Sequence, residues 1–157
     1  MQMKEVFFRW TDGMDKDFRK FYLDTEAYYS KIVGGLKNRM DFVPYNLSDS
    51  VSDVVIAYVE NTAVGCTGLR KYEEGIAEIK RMWVDPEYRG KHISTKLLEM
   101  IEERARQTGF RKAILQTRSI MKEAVNLYIN HGYQLIENYP PYDHLDGAIC
   151  FAKELLG

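Results

Sequence analysis

The sequence predicts a mixed α/β fold, an antiparallel front half running into a βαβ-like back half. Three observations carry the prediction. Seven short segments are apolar or alternate at period two, and three longer ones show helical spacing. Only brief turns separate the second, third and fourth strand segments, so these fold back on one another. A helical segment and then a further strand follow the fourth strand, the arrangement that lets neighbouring strands run parallel.

"KEVFFRW" (4–10) is apolar and aromatic and reads as the first strand. In "DKDFRKFYLDTEAYYSKIV" (15–33), Phe18, Phe21, Tyr22, Tyr29 and Ile32 fall near helical spacing, and Gly34-Gly35 is the expected stop. "DVVIAYV" (53–59), "AVGCTGLRKY" (63–72) and "IAEIKRMWV" (76–84) are strands two to four, separated by turns at Glu60-Asn61 and "EEG". The next helix has Ile93, Leu97, Leu98 and Ile101 on one face and Lys96, Glu99, Glu102 and Glu103 largely opposite, with Gly109 at its end. "KAILQT" (112–117) is a strand. Ser119 can cap a helix over 120–131, with Ala124, Leu127 and Tyr128 on one face and Gly132 after it. "YQLIE" (133–137) and "GAICFAKEL" (147–155) are the closing strands, which gives the order β-α-β-β-β-α-β-α-β-β.

The chain has 157 residues, no repeats and no Pro/Gly/Ser linker, so one domain over residues 1–157 is expected. Its 22 basic and 23 acidic residues balance, which argues against a nucleic-acid footprint. Cys66 and Cys150 are the only cysteines, and His92, His131 and His144 form no ligand cluster. Neither a disulfide framework nor a metal site is expected. The N-terminal stretch has no apolar run for a signal peptide or membrane span, so a cytoplasmic protein acting away from membranes is expected.

The loop "VDPEYRGKHISTKLLEMIEE" (84–103) joins a strand to an amphipathic helix. A helix start exposes unpaired N–H groups and partial positive charge, which suits an anion. Arg89, Gly90 and Lys91 fit that use, but the spaced glycines of a dinucleotide loop and the Gly-Lys-Ser/Thr of a P-loop are missing. On local physics alone, an ordinary basic helix start explains the loop as well as an anion site does.

The wider stretch "EIKRMWVDPEYRGKHIS…AVNLYINHGY" resembles the GNAT N-acetyltransferase superfamily. The family's loop motif is Arg/Gln-x-x-Gly-x-Gly/Ala. Arg89 holds its first place, and His92 and Ser94 stand where the glycine and Gly/Ala stand. Asn126, Tyr128, Gly132 and Tyr133 match the second signature. The resemblance implies a mixed central sheet of about seven strands with about four helices, the extra one early in the chain. It implies acetyl-CoA as co-substrate, with the pyrophosphate on backbone amides of Arg89, Gly90, Lys91, His92, Ile93, Ser94 and Thr95. The pantetheine arm would lie along Met82, Trp83 and Val84, with Asn126 bonded to it. Dimers are common in the family, and the aromatic-rich surface is compatible with a homodimer.

Acetyl transfer to an amine needs the amine deprotonated, the carbonyl oxygen stabilised and the leaving thiolate protonated. Tyr128 resembles the family's general acid. Glu78 is a base candidate: period two puts Glu78, Lys80 and Met82 on one face and Ala77, Ile79, Arg81 and Trp83 on the other, so charge falls on both faces of a central strand. An ion pair with Lys80, Arg81 or a neighbouring-strand charge explains Glu78 equally well.

The acceptor cleft is expected from residues 24–46 and 138–147, rich in Tyr, Asp and Glu, for a small-molecule amine or a peptide. The implied function is direct acetyl transfer to a primary amine in a ternary complex. The alternative, motivated by His92 and Ser94, is a non-catalytic acyl-CoA sensor or interaction domain.

Overall fold

The computed structural model describes residues 5–32 and 51–155. The strands are β1 (Val6–Thr11), β2 (Asp53–Val59), β3 (Thr62–Glu73), β4 (Ile76–Val84), β5 (Lys112–Arg118), β6 (Gln134–Ile136) and β7 (Ala148–Glu154). The helices are α1 (Lys16–Ile32), α2 (Ile93–Thr108) and α3 (Lys122–Asn130), with a 3-10 turn at Pro86–Tyr88. All seven strands join one sheet in the order β1-β2-β3-β4-β5-β7-β6. Pairing is antiparallel from β1 to β4, parallel between β4 and β5, and antiparallel again from β5 to β7 and β6.

Alternation along β2 separates two cores. Val54 and Ile56 pack with Phe18 and Phe21 of α1, while Val55, Ala57 and Val59 pack with Ile93 and Leu97 of α2. The two helices therefore cover opposite faces of the front sheet. Leu97, Leu98 and Ile101 of α2 are fully buried, and each such side chain contributes about 1.5–3 kcal/mol. Residues 93–108 thus form the amphipathic helix that the apolar spacing predicts.

Two expectations change. Glu102 is not on the polar side: it is 4% exposed, because Tyr133 donates a hydrogen bond to it at 2.7 Å and Lys153 pairs with it at 3.0 Å. Ser119 does not cap α3. Its amide bonds to Gly147 O at 2.9 Å, tying the end of β5 to β7, and the helix begins at Lys122 after Met121. The described residues contain three α-helices; the expected early fourth helix and the Gly34-Gly35 stop lie outside them.

Candidate active site

The site begins where the sheet splits. Strands β4 and β5 pair only from Ile76↔Lys112 to Glu78↔Ile114, and beyond Glu78 they part. Within the same stretch, β4 carries one extra residue against β3: Cys66 faces Trp83, yet Gly68 faces Lys80. Arg81 sits at φ 64°, and this bulge interrupts the ladder. Thr67 on β3 donates its hydroxyl to Lys80 O and Cys66 its thiol to Arg81 O, each at 3.3 Å. Gly65 lets β3 approach this closely, because a Cβ there would lie 2.9 Å from Trp83 O.

The bulge overturns the expected faces of β4. Trp83 packs with Phe18 and Phe21 on the α1 side, where Glu78 and Lys80 were expected to be joined by Met82. Val84 packs with Ile93 and Leu97 on the α2 side, and Met82 packs against that core too. One added residue moves every later side chain to the other face.

After Val84 the chain turns through Pro86–Tyr88 and reaches Gly90 at φ 78° and His92 at φ 64°. Helix α2 has no side-chain cap, and Lys96 N to His92 O at 3.1 Å closes its first turn. The amides ahead of Lys96 have no intrahelical acceptor. Arg89 is committed to shaping the loop. Its Nε donates to Val84 O at 2.8 Å and its Nη1 to Tyr28 Oη at 2.9 Å. The guanidinium also lies over the Tyr28 and Trp83 rings at 4.7 and 4.9 Å, and Glu123 of α3 stands 3.6 Å away.

A cleft of about 380 Å³ opens here. Of the expected cofactor residues, Met82, Trp83, Val84, Arg89, Gly90, Ile93 and Ser94 line it. Lys91, His92, Thr95 and Asn126 do not; Lys91, His92 and Asn126 are exposed. The opposite wall is the start of α3, from Ile120 to Ala124 with Leu127, and Tyr28 closes one end. Sequence reasoning gave this wall no role, although α3 follows β5 directly and its apolar face had to cover something. The cleft has an amide-rich end at α2 and a mixed apolar wall, so its residues fit a pantetheine arm ending in a pyrophosphate.

A second, narrower space of about 90 Å³ continues from the cleft and shares Met82, Met121 and Ala124 with it. Tyr128, Glu78, Lys80, Arg81, Arg118, Thr25 and Tyr142 line this throat. Tyr128 is buried, edge-on to Tyr133 at 5.7 Å between ring centres. Lys80 donates to Tyr142 Oη at 3.0 Å, and burial pushes the Lys80 pKa down. Glu78 is 2% exposed. Its Oε1 lies 2.8 Å from Arg70 Nε on β3, a charge contact with no aligned N–H bond. Its Oε2 accepts from Tyr139 Oη at 2.7 Å. Of the expected acceptor segments, Thr25 and Tyr142 reach the throat, and residues 33–46 lie outside the described residues. Among the described residues no group of His, Cys, Asp and Glu could hold a metal, and no helix is long and apolar enough to cross a membrane.

Residues 7–133 match the acetyltransferase (GNAT) family. The chain belongs to that family. A curated relative, the Escherichia coli N-acetyltransferase YjgM, described as uncharacterized, is 37% identical over 92 residues, 58% of this chain and 55% of its own length. The chain thus spans only about half of that relative. The aminoalkylphosphonate N-acetyltransferase of Salmonella typhimurium is 30% identical over 122 residues, 71% of this chain and 79% of the relative. Among solved structures, the PaiA N-acetyltransferase of Thermoplasma acidophilum, in complex with coenzyme A, superposes with a TM-score of 0.72 at 15% identity, covering 96% of this chain and 99% of that one. That likeness is one of fold, and GNAT neighbours with CoA or acetyl-CoA bound recur among the solved structures.

Proposed function

We propose that this GNAT protein is an acetyl-CoA-dependent N-acetyltransferase that moves an acetyl group directly to a primary amine. The observation that carries the reading is the junction at Met82, where the cleft from the α2 start meets the throat that holds Tyr128. When bound, the co-substrate supplies an acetyl thioester. The backbone at the start of α2 receives its phosphates, and Met82, Trp83 and Val84 guide the arm inward. The irregular backbone of β4 at the bulge stands where the carbonyl oxygen gathers negative charge, a position where one N–H donor contributes about 3 kcal/mol. Tyr128 donates the proton that the leaving sulfur needs, and the proton shed by the attacking amine restores the phenol, so the transfer balances.

The sensor reading started from His92 and Ser94. His92 is exposed and outside the cleft lining, and Ser94 lines the cleft with a small side chain. Neither residue fills the cleft, so turnover is the better reading.

The test has two arms. Calorimetry measures acetyl-CoA binding against dephospho-CoA and NADH. Mass spectrometry then follows acetylation over a panel of amines, each paired with a counterpart bearing a carboxylate or phosphonate, because Lys80, Arg81 and Arg118 line the throat. Selective binding with an acetylated product is expected. Binding without any product would hand the site to the sensor reading, and absence of binding at millimolar acetyl-CoA would remove the cofactor site.

A further inference from the structure

Glu78 has the position of a base but the surroundings of an anchor. Both carboxylate oxygens are engaged, Oε1 with Arg70 and Oε2 with Tyr139. Burial, with the charge of Glu78, pushes the Tyr139 pKa far up, so the phenol stays a donor.

Tyr139 belongs to the segment between β6 and β7, which several bonds fasten to the sheet. Tyr72 of β3 stacks edge-on against Tyr139 at 5.1 Å and donates to Pro140 O at 2.8 Å. Tyr139 meets Tyr142 edge-on at 5.4 Å, and Tyr142 N bonds back to Tyr139 O at 2.7 Å. Asn138 closes the base of the segment onto Ala148 O at 2.9 Å. Tyr142, so placed, lines the throat and accepts from Lys80. The contacts therefore run from Arg70 through Glu78 and Tyr139 to Tyr142, at the wall of the acceptor side.

We infer that Glu78 is a positioning residue, not the base: through Tyr139 it fixes the 138–147 segment, and that segment sets how tightly the acceptor is held. The inference rests on the acetyltransferase reading of the site. Acceptor recognition, but not acetyl-CoA binding, then depends on Glu78 and Tyr139.

Tyr139→Phe and Glu78→Gln separate the roles, since glutamine keeps the size and an acceptor oxygen but drops the charge. Two readouts are made on the purified full chain. Hydrogen exchange of a peptide spanning 138–148 is read without any substrate. Steady-state kinetics use whichever amine the panel shows to be acetylated. Both variants are expected to speed exchange of that peptide. Both should raise the acceptor KM about five-fold or more, leave the acetyl-CoA KM within two-fold, and lower kcat less than ten-fold. The pH profile of kcat/KM should keep its shape in Glu78→Gln. Loss of kcat by a hundred-fold or more in Glu78→Gln with an unchanged acceptor KM would restore the base and overturn the inference. So would wild-type exchange and wild-type acceptor KM in Tyr139→Phe. If no amine is acetylated by the wild type, it is the enzyme reading that fails, and the exchange arm still decides whether Glu78 anchors the segment.

Discussion

His92 adopts a left-handed backbone at φ 64°, a conformation that glycine takes without steric cost. For a residue with a Cβ this conformation costs about 1–2 kcal/mol. Glycine would relieve that cost but lose about 0.4–1 kcal/mol to the extra freedom of its unfolded chain. His92→Gly is therefore expected to raise the melting temperature by roughly 1–3 °C, read by thermal unfolding, with acetyl-CoA affinity little changed because the ring lies outside the cleft. Gly90 gives the converse case. It sits at φ 78° with nothing within 4 Å of an added Cβ, so Gly90→Ala meets only conformational strain. That variant should lose about 1 kcal/mol in the same assay. At Tyr128, replacement by phenylalanine removes one hydroxyl from the throat and leaves the cleft walls in place. The expected outcome is a fall in kcat of about a hundred-fold with an unchanged calorimetric affinity for acetyl-CoA; an unchanged kcat would take Tyr128 out of the chemistry.

Among the elements, α1 owes its start to Asp15. The carboxylate accepts from Asp17 N at 2.8 Å and Phe18 N at 3.2 Å, and Arg9 on β1 donates to it at 2.8 Å. Burial opposes the charge, but the Arg9 bond and these amides outweigh it and hold the Asp15 pKa below its usual value. A lowered folded pKa means the stabilisation is complete above the unfolded value, about 3.9, and is lost as pH falls through the folded one. Asp15→Asn keeps a capping oxygen and loses the charge. It should cost about 0.5–1 kcal/mol at pH 7, and the gap in melting temperature from wild type should narrow as acid protonates the carboxylate and close once it is neutral in the folded chain. The same scale explains what could be seen in the sequence. Strand β4 and helix α2 were legible because each carries its own period. The bulge at Arg81 was not, since an extra residue exists only relative to the opposing strand, and it reversed the faces of Met82 and Trp83. Glu102 was misassigned for a like reason. Its charge alone put it on the polar side, although the buried Leu98 and Ala105 lie one turn before and after it, and its partners Tyr133 and Lys153 arrive from 31 and 51 residues away in the chain.

Across the whole molecule, the cleft draws its walls from β4, the α2 start and α3, with Tyr28 of α1 at one end. A ligand that bridges them binds only the folded chain. Acetyl-CoA at a hundred times its dissociation constant should add about 2.7 kcal/mol and lift the melting temperature by roughly 5–10 °C; CoA fragments that reach one wall should add less. The order of elements along the chain was legible because it rests on local periods and turns, and the family motif led to seven of the residues that line the cleft. On the acceptor side, segment 138–147 and a neighbouring-strand partner for Glu78 were legible, but not the run of contacts from Arg70 through Glu78 to Tyr139 and Tyr142, which come together from separate strands and a loop. One further consequence comes from the cysteines. Cys66 and Cys150 are the only two in the chain and both are fully buried. Burial pushes the Cys66 thiol up to about 12 and raises that of Cys150 as well, so at neutral pH neither is a reactive thiolate. A disulfide reagent added to the native protein with acetyl-CoA and an amine will therefore colour only with the sulfur released by turnover. In urea the same reagent counts two equivalents per chain, one reporting the opening of β3 and the other the opening of β7.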